Sequence, residues 1–177
     1  YNDVLKEDPQ NLSAIDGVGA LLYNMAATPF NPDKFLESKS YHEKHIQIKP
    51  NDADPYYWVG VIDWTLAYHA NQTARSDYNH ANPGKQVKDN QPLPEKVRGD
   101  FTAKESQTVD EAIDYLKKAM ARKPDYDDAM AYLNLVYRQK ADMATSEAER
   151  DDLIKQADDL MDQVKQIKQK KGMSQGS

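Results

Sequence analysis

Apolar residues recur at helical spacing along nearly the whole chain, and no stretch shows the sustained alternation of a half-buried strand. The pattern predicts helices near 12–27, 33–48, 54–70, 107–122, 126–141 and 147–171, hence an all-α chain. Boundary chemistry sharpens these limits. Asn31-Pro32-Asp33 opens the second helix, and Asp54 is the expected N-cap of the third, with Pro55 at its first helical position. Ser146 followed by Glu149 reads as a capping box, and Lys170-Lys171-Gly172 as the end of the last helix. Residues 172–177 are small and polar and are expected to form a flexible tail. At the other end, Tyr1, Val4 and Leu5 sit at helical spacing and run into Pro9. They read as the last turns of a preceding unit (1–8), so the natural chain is expected to extend further on this side.

Three prolines, each within a similar turn, set an internal register: Glu7-Asp8-Pro9, Ile48-Lys49-Pro50 and Arg122-Lys123-Pro124. Ten residues after each stands a small or polar residue (Gly19, Gly60, Asn134), preceded by an aliphatic one (Val18, Val59, Leu133). Upstream of Pro124, at matching offsets, come Ala112, Leu116 and Ala119, where the Pro50 unit has Ser38, His42 and His45. Ala157, Met161 and Val164 repeat that spacing in the last helix. A small residue in a first helix lets the second cross closely, and proline ends the second helix and turns the chain into the next unit. With these residues the chain resembles the tetratricopeptide repeat, a helix–turn–helix unit of about 34 residues. The run from Asp125 to Leu135 is similar in particular to bacterial members of the family, notably those of acidobacteria. The resemblance implies an α-solenoid of antiparallel helix pairs over 1–171, with a C-terminal capping helix. The intervals Pro9–Pro50, Pro50–Pro124 and Ala112–Ala157 all exceed the family unit, and the excess falls between the first and second helices of a repeat. His42 and His45 depart from the family pattern, which leaves Tyr41 as an alternative core residue.

The largest excess lies at about 71–106. Its first half is polar, with Asn82-Pro83-Gly84 as a turn, and Leu93, Val97 and Phe101 then mark a short helix. It is expected as a long inserted loop, either a lid or a decoration packed on its own solenoid.

In the family, first helices line a concave groove that takes peptides. The resemblance places Asp16, Ala20, Tyr23, Tyr57, Val61, Trp64, Leu135 and Arg138 on that surface. Tyr57, Val61, Trp64 and Tyr68 form one helical stripe, and aromatics with arginine are hot-spot chemistry. Asp16, Tyr23, Tyr57, Val61, Trp64 and Arg138 are therefore the candidate partner-binding residues. The alternative is that Tyr57 and Trp64 merely pack beneath the insertion.

Other chemistry is thin. The 177 residues contain no cysteine, which removes disulfides, thiol catalysis and cysteine-bound zinc. His42 and His45 lack a convincing third ligand, so no metal is expected. No nucleophile elbow or glycine-rich phosphate loop occurs, and the acids of the last helix lack calcium-loop spacing. Asn11-Leu12-Ser13 and Asn71-Gln72-Thr73 are formal glycosylation sequons. A net charge of −6 argues against a general nucleic-acid partner. No apolar run is long enough to insert into a membrane. The expected function is a non-catalytic scaffold for a protein or peptide partner, with no cofactor. The alternative is a self-associating structural subunit of a larger extracytoplasmic assembly or filament.

Overall fold

The computed structural model describes residues 1–175, which form seven helices and, among those residues, no strand. They are α1 (Asn2–Glu7), α2 (Leu12–Ala27), α3 (Pro32–Ile48), α4 (Asp54–Ala81), α5 (Glu95–Arg122), α6 (Asp127–Ala141) and α7 (Glu147–Gln175). Three antiparallel pairs, α2/α3, α4/α5 and α6/α7, stack in chain order as an α-solenoid. Asn11 and Asn31 cap α2 and α3 by accepting from the amides of Ala14 and Lys34, at 3.0 and 3.1 Å. At α7, Ser146 Oγ accepts from Glu149 N, while Glu149 reaches back to the amide of Thr145 instead of closing the box on Ser146. Asp54 is the first helical residue of α4 and not its cap, and its carboxylate accepts from the Tyr126 hydroxyl at 2.8 Å.

The repeat register holds because glycines make room for partner helices. A Cβ on Gly60 would lie 2.5 Å from Leu116 Cγ in α5, and one on Gly19 would lie 3.0 Å from His42 Nε2 in α3. His42 thus occupies the place that Leu116 takes in the next pair, and His45 that of Ala119; both histidines are buried, whereas Tyr41 is only half-buried. Ser38, the counterpart of Ala112, donates to Gly19 O at 2.7 Å. The main core runs from Tyr56 through Leu116, Leu133 and Val136 to Ala157 and Val164. Each large aliphatic side chain buried there contributes about 2 kcal/mol.

The 71–106 segment corrects the expected loop. α4 continues to Ala81 and α5 starts at Glu95, so only 82–94 lies outside helix. The polar composition concealed this because a helix needs only one buried face. Phe101 supplies that face on α5, and Asn71 and Arg75 supply it on α4 as a paired polar surface. Between Asn71 and Ala81 no Gly or Pro interrupts the helix. The last helix also runs past Gly172, which is not in the left-handed conformation of a C-cap. Lys171 Nζ ties this end to Asp127, at 2.8 Å, and to the carbonyl of Asp125. Gly176 and Ser177, the end of the expected flexible tail, lie outside the described residues.

Gly60→Ala and Gly99→Ala should have opposite signs. Alanine gains up to about 1 kcal/mol over glycine inside a helix. At Gly99 in α5 a Cβ meets nothing within 4 Å, so the gain is realised. At Gly60 the neighbour is the fully buried Leu116, and overpacking costs about 1–3 kcal/mol. Denaturant unfolding of both variants checks this, and a stabilised Gly60→Ala would contradict the packing described.

Candidate ligand groove

The first helices of the three pairs, α2, α4 and α6, share a chain of touching aromatic rings. Tyr23 (α2) meets Trp58 (α4) edge-on at 5.3 Å, and Trp58 meets Tyr57 at 5.3 Å. Tyr57 meets Tyr132 (α6) at 5.7 Å, Tyr132 meets Trp64 at 5.3 Å, and Trp64 stacks on Tyr68 at 5.0 Å. All six rings keep some exposure. The Tyr57 and Tyr132 hydroxyls are held above the usual tyrosine value, first by burial and then by neighbouring tyrosines and Asp128.

The ladder ends in a cleft of about 570 Å³ between α4, α6 and α7. Trp64, Leu135 and Arg138 line it, with Gln139, Ile154 and, from the 82–94 loop, Asp89 and Asn90. Two buried polar atoms of its lining residues, Trp64 Nε1 and Gln139 Oε1, have no hydrogen-bond partner. Arg138 is already engaged, donating to Asn134 Oδ1 at 2.9 Å and pairing with Asp158 of α7.

The expected site residues thus separate into groups. Tyr23, Tyr57 and Trp64 join one ladder, and Trp64, Leu135 and Arg138 share one cleft. Asp16 and Ala20 lie on a smaller cavity with His45 and Trp58, and Asp16 accepts a 2.7 Å bond from His45 Nδ1. Val61 is a correction: at 1% exposure it offers no binding surface. A short β-branched side chain flanked by Tyr57 and Trp64 one turn to either side does not reach past them. Trp58 and Tyr132 were missed. Both stand eight residues after their repeat proline, Pro50 and Pro124, and that shared offset was the available signal.

The loop is tied down beside the cleft and leaves Tyr57 and Trp64 partly exposed. Arg75, 2% exposed, donates to the carbonyls of Lys88 and Gln91 at 2.8 and 2.9 Å, to Asn71 Oδ1, and to Asp142 Oδ2 at 3.0 Å. Arg150 holds the other oxygen of Asp142 at 3.1 Å and the carbonyl of Asn90. Asn79 clamps Val87 through both backbone groups. Asn71 itself is buried and bonded to Asp142, so its sequon presents no acceptor for a glycan. Among the described residues no three His, Asp or Glu side chains group so as to hold a metal ion, and no helix is long and apolar enough to cross a membrane.

No protein-family model matches the chain, and no curated protein matches it. Among solved structures it is similar to one titled "Crystal structure of MamA", at 19% identity over 92% of this chain and 85% of that one, with a TM-score of 0.30. The α-solenoid is shown by its own helix pairs and glycine contacts. None of these likenesses places the chain in a bacterial subgroup of repeat proteins.

Two expectations follow. Arg75→Met leaves part of the buried Asp142 charge unpaired and frees the loop carbonyls. It should cost about 3 kcal/mol and make 82–94 sensitive to limited proteolysis. The second concerns pH. Burial lowers His42 to about 4, with Asp16 opposing and His45 adding to the effect. Its contribution to stability is therefore complete above the unfolded value of about 6.5 and is lost as pH falls towards 4. Asp63 acts in the opposite sense, since burial raises its carboxyl to about 7 against the pull of Lys39 at 2.9 Å. Relative to the parent chain, the stability deficit of His42→Gln should shrink by up to about 3 kcal/mol between pH 7 and pH 4, and that of Asp63→Asn should grow. Urea unfolding at both pH values measures the two differences.

Proposed function

We propose that the chain is a non-catalytic interaction scaffold that binds an extended peptide segment of a partner along α2, α4 and α6. The observation that carries this reading is the partly exposed ring ladder leading into a cleft lined by Trp64, Leu135 and Arg138. Tyrosine and tryptophan rings offer large contact area at small entropic cost. Tyr23, Tyr57 and Trp64 are the central contacts in this reading. Arg138 meets a ligand carboxylate only in competition with Asp158, and Asp16 marks the opposite end. Leu135 adds an apolar wall, and Val61 drops out.

A second reading, a self-associating structural subunit, is favoured by one feature. Tyr1, Val4, Leu21 and Met25, near the α1 edge of the solenoid, are exposed large apolar residues.

Peptides selected from a random decapeptide display library on the immobilised protein should bind Trp64→Ala and Tyr57→Ala at least about tenfold more weakly, with helicity retained by circular dichroism. An elution volume that shifts with protein concentration and stops shifting in Leu21→Ser/Met25→Ser would favour the subunit reading instead.

A further inference from the structure

The end of the groove remote from Arg138 has its own chemistry. A cavity of about 170 Å³ is lined there by Asp16 of α2, His42 and His45 of α3, and Asp54 and Trp58 of α4. Trp58 is also a member of the aromatic ladder, so the cavity adjoins it. Asp16 uses Oδ1 to accept from His45, and Asp54 uses Oδ1 to accept from Tyr126. Among the described residues, the second oxygen of each carboxylate accepts no hydrogen bond, and no lysine or arginine forms an ion pair with either residue. His45 is divided between Asp16 and Asp52, at 2.7 and 3.1 Å. His42 is 3% exposed, kept neutral by burial, and its Nε2 is unpartnered. Two cations stand close by: Arg122 and Lys123 line an adjoining cavity of about 530 Å³ together with Asp16, His45, Asp52 and Asp54. Arg122 donates to the carbonyls of Pro50 and Lys118 and to the Tyr56 hydroxyl, and the Lys123 ammonium lies 4.4 Å over the Tyr126 ring. Asp128, exposed at the start of α6, adds a third carboxylate to the field felt by Tyr57.

From this geometry, and resting on the peptide-groove reading, we infer that the occupant seats a basic side chain, lysine or arginine, at the Asp16–Asp54–Trp58 cavity. The aliphatic stem of such a side chain lies against the Trp58 wall while its charged head reaches the two unengaged carboxylate oxygens. An acidic residue at the same place meets the carboxylates of Asp16 and Asp54, with which no lysine or arginine among the described residues forms an ion pair, so the cavity also sets the direction in which the segment lies. At the other end, the arginines of the cleft are already paired with Asp158 and Asp142 and give no comparable preference.

The probe is the random decapeptide library, followed by synthetic copies of the selected peptides titrated against tryptophan fluorescence. Selected peptides should carry a lysine or arginine at one recurrent position. Replacing it with norleucine or citrulline should weaken binding about tenfold or more. Asp54→Asn and Asp16→Asn should lose a similar factor, and raising the salt from about 0.05 to 0.5 M should weaken the parent complex as exposed charges are screened. If loss of the His45 bond unfolds Asp16→Asn, the doubly substituted Asp54→Asn/Asp128→Asn chain takes its place. Selected peptides without a recurrent basic residue, or affinities unchanged in the aspartate variants, would overturn the basic-residue inference and leave the groove reading standing. A library that yields no binder whose affinity depends on Trp64 or Tyr57 would remove the groove reading and this inference with it.

Discussion

The closest constraint in this molecule is the space that two glycines leave for side chains of the neighbouring helix. Gly60 admits Leu116 and Gly19 admits His42, in both cases at distances that a Cβ would close. These contacts fix how near the second helix of each pair lies to the first. The spacing of α2, α4 and α6 follows from it, and with it the possibility that rings from three helices touch. A hydrophobic core alone would tolerate sliding, whereas a side chain seated over a glycine sets the register along the helix. The first pair shows that the geometry outranks residue type. A histidine and a serine occupy places held elsewhere by leucine and alanine, and they are accommodated by stripping His42 of its charge and by giving the Ser38 hydroxyl to Gly19 O.

The extended α4/α5 hairpin is the second element on which the candidate groove depends. It carries Tyr68 and the lower wall of the cleft, and its connecting loop is held by one buried ion pair, Arg75 with Asp142. A buried charge pair is weak evidence of stability in itself, because desolvation offsets much of the attraction. Its value here is positional. Arg75 satisfies two loop carbonyls and a carboxylate at the α6–α7 turn together, so the loop stands at the edge of the cleft and does not fold across the rings.

The ring ladder itself is a compromise between burial and availability. Tyr57, Trp58, Trp64 and Tyr132 lean on one another enough to be ordered, yet each keeps surface that a partner can cover. Pre-ordered aromatics lose little entropy on binding, which is the physical basis for reading such a surface as a hot spot. The two ends of the ladder differ in charge: carboxylates with unengaged oxygens at the Asp16 end, and arginines already paired with acids at the Arg138 end. That asymmetry gives the aromatic surface a polarity.

Much of the architecture was legible in the sequence, because helices and repeat register are carried by short-range spacing. Three prolines placed the turns, small residues ten positions later placed the close crossings, and apolar periodicity placed every helix within a few residues except along the insertion. Tyr23, Tyr57 and Trp64 of the expected residues join one ladder, since equivalent positions of stacked repeats come side by side, whereas Asp16 and Arg138 lie on separate cavities. What the sequence left open depends on pairings between distant residues. Arg75 and Asp142 meet across 67 positions, and that contact makes helix of a segment whose composition reads as loop. Val61 is withdrawn from the surface by its bulkier neighbours, and Tyr132 enters the ladder because α6 crosses α4 at the right height. The division of the candidate groove into an amide-lined cleft and a cavity with two carboxylates is likewise a tertiary result. It is decided by which carboxylates and arginines find partners on other helices, and one-dimensional spacing does not encode that.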